Sequence, residues 1–136
     1  KNAWFFASFN ELEQLYYTIR RMCEPAYDHV DNNFTPLPQK YVDDFCPQKE
    51  RVKDCIADFR IISSSADFER LRDLEPRLSL LQNKFSDMRK ELMTDIQAKQ
   101  VNINTAYLYL NILQESESMA ITLLRLTRSS RKFQLG

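Results

Sequence analysis

Leu71, Leu74, Leu78, Leu81, Phe85, Met88 and Leu92 step along the chain by three and four residues in strict alternation. An α-helix turns once in 3.6 residues, so this spacing lays all seven side chains along one stripe. Ile96 follows one turn later. A stripe three heptads long demands a partner helix over most of its length. At 1.5 Å per residue the segment makes a rod of roughly 45 Å. Pro76 lies inside it and is expected to bend it, because proline lacks an amide and crowds the preceding turn. The stripe can serve as a core face or as a self-associating coiled coil. Three other amphipathic segments in the same chain favour the core.

The first of these starts at Ser8, with Glu11 three residues later as a capping box. Phe9, Leu12, Tyr16, Ile19, Cys23, Ala26 and Val30 then recur at helical spacing, with a kink expected at Pro25. The stretch "DNNFTPLP" ends the pattern. A second helix is predicted from Pro38 to Ser63, with Tyr41, Phe45, Val52, Ile56, Phe59 and Ile62 inward and Pro47 distorting or splitting it. Ser65 is the expected cap of the leucine-rich third helix, with Phe68 at its start. The fourth is expected from a cap at Asn102 or Asn104 to about Lys132. Its apolar stripe reads Ile103, Ala106, Leu110, Leu113, then Glu117, then Ala120, Ile121 and Leu124.

Long helices with short connections predict an all-α antiparallel bundle of about four helices, some kinked at prolines. Composition supports it. The chain has one glycine in 136 residues, and the tight turns of sheets draw on glycine. Net charge is zero, without the basic excess of a nucleic-acid binder. Three cysteines, Cys23, Cys46 and Cys55, form no CxxC motif, which argues against a disulfide framework or zinc site and for a reducing compartment. The uncharged run over residues 101 to 114 is too short and too polar to cross a bilayer. The opening at Lys1, with Trp4, Phe5 and Phe6 close behind, reads as a cut from a longer protein. Residues 1–7 are then a linker, 8–133 the bundle and 134–136 a tail.

No signature of catalysis stands out. A phosphate loop needs several glycines, and the single histidine, His29, has no nearby nucleophile and no Glu-x-x-His pattern. The sequence therefore predicts a non-enzymatic domain without a cofactor. Within "QESES", Glu117 falls near the centre of the apolar stripe, whereas Glu115 lies about 160° away and faces solvent. A carboxylate in a core stripe needs a cation, a hydrogen bond or a proton. The plainest use of Glu117 is an interhelical polar contact. Were a metal bound, Glu117, Asp54 and Asp58 are the candidates. Arg125, Arg128, Arg131 and Lys132 end the last helix, where cations complement the negative helix terminus and could also meet an anion or a partner.

The segment "AYLYLNILQESESMAITLLRLTRSSRKF" resembles the closing helix of the PhoU-like domain at the C-terminus of bacterial sodium/phosphate cotransporters. "FTPLPQKYVDDFCPQKERVKDCIADF" is similar to that family's loop and second helix. The resemblance spans roughly residues 8 to 133 and is strong over the last thirty. It implies a cytoplasmic regulatory domain of an inner-membrane phosphate symporter. Such a domain modulates uptake through contacts with the membrane portion in cis or by self-association. The family's acidic E/D-x-x-x-D metal motif is broken at the expected place, where Met119 follows Glu115. The pattern does occur at Glu24/Asp28, Asp54/Asp58, Glu69/Asp73 and Glu91/Asp95, all off the apolar stripes and expected on solvated faces. The competing expectation is a soluble interaction or dimerisation module unrelated to transport, with the leucine stripe as its binding face.

Overall fold

The computed structural model describes residues 7, 9–11, 13–14, 38–65 and 68–135. The body of the expected first helix, with His29 and Pro25, lies outside them, as do the Ser8 cap and most of the "DNNFTPLP" connection. Three long helices carry the fold: α1 (Gln39–Ser65), α2 (Leu71–Gln97) and α3 (Ile103–Leu135). A short 3-10 turn, Phe68–Arg70, leads into α2. Residues 7, 9–11 and 13–14 are also helical, and the described residues contain no strand. The chain is an all-α helical bundle.

Ties between helices fix the directions. Asp95 near the end of α2 accepts a hydrogen bond from Tyr41 near the start of α1, while Arg77 early in α2 pairs with Asp58 late in α1. Arg89 pairs with Glu117 and Glu75 with Arg128, so α3 runs back along α2. Each helix is antiparallel to the next. The N-terminal helical residues dock on the far end of α1, where Phe9 stacks on Phe59 with centroids 5.3 Å apart and Glu13 pairs with Arg60.

All seven members of the leucine stripe are buried, five of them at 1% exposure or less: Leu71, Leu74, Leu78, Phe85 and Leu92. The stripe is therefore a core face covered within the chain. Fully burying a leucine is worth about 2 kcal/mol, which makes this face the chief stabilising element. The inward set expected on α1 is buried too. Its 4-3 stepping runs through Tyr41, Phe45, Gln48, Val52, Cys55, Phe59 and Ile62, so Gln48 and Cys55 join the core.

The last helix departs from expectation. Its buried line is Tyr109, Ile112, Ser116, Met119, Leu123 and Leu126, flanked by Ala106, Leu113, Ala120 and Thr127. Ile103 is exposed, and Leu110, Glu117 and Ile121 lie at the margin. The midline thus passes through Ser116 and leaves Glu117 on the border facing α2. Ser116 can occupy that place because its hydroxyl donates to the Ile112 carbonyl at 2.7 Å, and Thr127 donates likewise to Leu123 at 2.8 Å.

The helix ends differ slightly as well. α1 begins at Gln39, with the Pro38 carbonyl accepting from the Tyr41 and Val42 amides, and it continues through Ser65. Ser65 is thus the last residue of α1, and the 3-10 turn starts the next segment. Pro47 and Pro76 sit inside continuous helices. Both are exposed, so water can reach the carbonyls of Asp43 and Arg72 that lose an amide partner. Asn102 is the cap of α3: its Oδ1 accepts from the Asn104 and Thr105 amides.

The end of α2 is built without glycine. Gln100 donates its amide to the Asp95 carbonyl and Lys99 to that of Ile96, a Schellman closure. Lys99 takes the left-handed position at φ 56°, where glycine is usual.

Candidate functional site

Two sets of polar side chains bear on function: those tied to another helix and those facing a groove. At the hairpin end, Asp95 occupies the next core position after Leu92 in the α2 stepping, contrary to the expected solvated face. Tyr41 donates its hydroxyl to Asp95 Oδ2 at 2.6 Å, and Lys40 reaches both Asp95 and Glu91. The Asp95 charge, with help from Glu91, raises the Lys40 pKa. Burial first, and the Asp95 bond second, push the Tyr41 phenol well above its ordinary value. Tyr109 stacks on Tyr41 with centroids 4.8 Å apart and is raised by burial as well. One carboxylate pair of the E-x-x-x-D pattern is thus occupied by a lysine.

Glu117 is half-buried and lies 3.5 Å from Arg89 of α2. Glu115 is exposed. Asp58 is held by Arg77 at 2.7 Å, a contact that raises the arginine's pKa, and Asp54 lies beside the same arginine. Glu117 stands on a different helix from Asp54 and Asp58. Among the described residues no three His, Cys, Asp or Glu side chains converge on a point that could hold a metal. At the far end Arg125 is exposed and Arg128 lies 3.9 Å from Glu75. The backbone is helical through Arg131 and Lys132, whose side chains lie outside the described residues.

The cysteines correct the expectation of reduced thiols. Cys46 is disulfide-bonded, whereas Cys55 is a free thiol buried at 1% exposure. A disulfide needs proximity in space, which spacing along the sequence does not reveal. Burial raises the Cys55 pKa against the opposing influence of Arg77, so this thiol is held protonated.

Between α1 and α2 lies a groove of about 460 Å³, lined by Gln48, Arg51, Asp54 and Cys55 from one helix and Arg77, Leu80, Leu81 and Lys84 from the other. Its floor is the buried Gln48, Cys55 and Leu81, while Leu80 stands on the rim at 70% exposure. Arg51 Nη1 donates to Gln48 Oε1 at 2.9 Å. Gln48 and Lys84 went unnoticed in the sequence. Gln48 had a signal there, because it is the polar step in an otherwise apolar 4-3 series.

A second surface feature lies at the start of α3, where Ile103, Tyr107 and Leu108 are exposed at 56%, 56% and 44%. No helix among the described residues is long and apolar enough to cross a membrane. No protein-family model, no curated protein and no solved structure matches the chain.

Proposed function

We propose that this bundle acts through contacts with other protein surfaces rather than through chemistry of its own. The observation that carries the reading is the exposed trio Ile103, Tyr107 and Leu108 on the first two turns of α3. The core is already closed by buried side chains from all three helices, so these large apolar groups are surplus to it. Exposed apolar clusters of this kind mark interaction surfaces. Several charged groups at the seams serve as interhelical ties, among them Lys40, Arg77 and Arg89.

The specific form we propose is the regulatory domain of a sodium-dependent phosphate symporter, in contact with the membrane portion in cis. Its support is the resemblance of residues 106 to 133, and nothing beyond the sequence adds to it. The disulfide at Cys46 weighs against a cytoplasmic address, since reducing compartments keep thiols open. Two experiments separate the general reading from the specific one. Tyr107→Ser with Leu108→Ser, both at exposed sites, should abolish crosslinking to the partner while leaving the unfolding temperature unchanged. Retention of the partner contradicts the interaction surface. Reading the gene upstream of Lys1 tests the specific form: several apolar spans support it, and a start codon close to Lys1 with none before it removes it.

A further inference from the structure

The geometry points to the α1–α2 groove as a binding site for a small organic oxyanion, a phosphate or carboxylate carried on an apolar body. Gln48 is the key residue. It is 5% exposed, lines the groove, and occupies a core step of α1. Among the described residues its only side-chain hydrogen bond is the one that Oε1 accepts from Arg51. Both hydrogens on Nε2 are therefore left without an acceptor among the described residues. By contrast, the buried Ser116 and Thr127 hydroxyls donate to carbonyls of their own helix. A buried amide donor without an acceptor is costly, and its persistence points to something that arrives to accept from it.

The surroundings state the chemistry of that acceptor. Arg51 and Lys84 flank the groove, and among the described residues neither makes an ion pair. Arg77 is committed to Asp58 at the rim. Three cations stand against Asp54 in the lining and Asp58 at its edge, leaving one net positive charge. An oxyanion accepts from Nε2 while meeting Arg51 and Lys84, each a charge-assisted bond. Leu80 and Leu81 supply an apolar wall beside the polar floor, and the volume lies within the range of small-molecule sites. Burial holds the Cys55 thiol on the groove floor in its protonated form. This inference does not depend on the transporter reading or on the α3 surface.

The test is an NMR titration of the full chain with phenyl phosphate, following the Gln48 side-chain amide, with inorganic phosphate and phenol as its two halves. Phenyl phosphate should shift the amide saturably, inorganic phosphate should bind several-fold more weakly, and phenol should leave it unmoved. Lys84→Gln, at an exposed position that cannot disturb the fold, should weaken phenyl phosphate about tenfold, and Gln48→Leu should abolish the saturable response of its neighbours. An unmoved Gln48 amide overturns the proposal. So does equal affinity in the wild type and Lys84→Gln. Equal affinity for phosphate and phenyl phosphate overturns the apolar half of it.

Discussion

The α2–α3 seam and the α1–α2 groove are built from the same kind of heptad, yet they treat polar groups in opposite ways. Along α2–α3, Ser116 and Thr127 lie in the core with their hydroxyls bonded to their own helix, and Glu117 meets Arg89 at the border. The seam closes around them. Between α1 and α2, Gln48 takes a core step with half of its amide unmet and two flanking cations without ion pairs among the described residues, and a groove remains open. A buried polar group that is fully satisfied is compatible with tight packing, whereas one that is not leaves stability unrealised. The difference separates a seam that holds the fold from one that is available for use.

The sharpest way to break this comparison is to truncate one leucine from each side. Leu78→Ala, in the sealed seam, should cost about 3 kcal/mol by urea unfolding, through lost burial and the cavity left behind. Leu80→Ala on the groove rim should cost about 0.5 kcal/mol or less. Similar losses at the two positions would show that the groove is packed as tightly as the seam.

Alkaline pH gives the next effect. Tyr41 and Tyr109 have folded-state pKa values above the ordinary phenol, so the unfolded chain loses these protons first as pH rises. Stability is then fully present through neutral pH and falls from about pH 10 upward, by at most about 1.4 kcal/mol per pH unit for each tyrosine. The Cys55 thiol, also raised, starts its share of the decline nearer pH 9. Thermal melts across this range should steepen as stated, and Tyr41→Phe combined with Tyr109→Phe should flatten them. Tyr41→Phe alone, at neutral pH, should cost about 1–2 kcal/mol, because Asp95 loses its short bond and keeps only Lys40. The smallest expected change is a gain. Lys99→Gly should add about 1 kcal/mol by relieving a left-handed residue that bears a side chain.

The fold was legible in sequence where apolar residues alone marked the period. The stepping from Leu71 to Leu92 gave both the helix and its buried face, and Tyr41 to Ile62 gave those of α1. It was less legible where small polar residues replaced apolar ones. Ser116 and Thr127 are buried because a helix lets a hydroxyl bond to the carbonyl four residues back, so a purely hydrophobic reading displaced the α3 midline onto Glu117. Asp95 was misplaced for a related reason. Its core position depends on the Tyr41 hydroxyl, 54 residues away. The groove is a fact of proximity between helices, and no local pattern contains it or the disulfide at Cys46. Gln48 was readable as a break in a heptad, but only the structure shows that half of its amide has no partner among the described residues.

The central claim is that Gln48 is kept for a ligand and not for the fold, and equilibrium urea unfolding of Gln48→Leu without ligand tests it most directly. Leucine fills a similar volume and removes the unmet donor, so the account predicts a stability gain of about 1 kcal/mol. A loss of 1 kcal/mol or more would show that Gln48 is a structural tie, and would contradict the account.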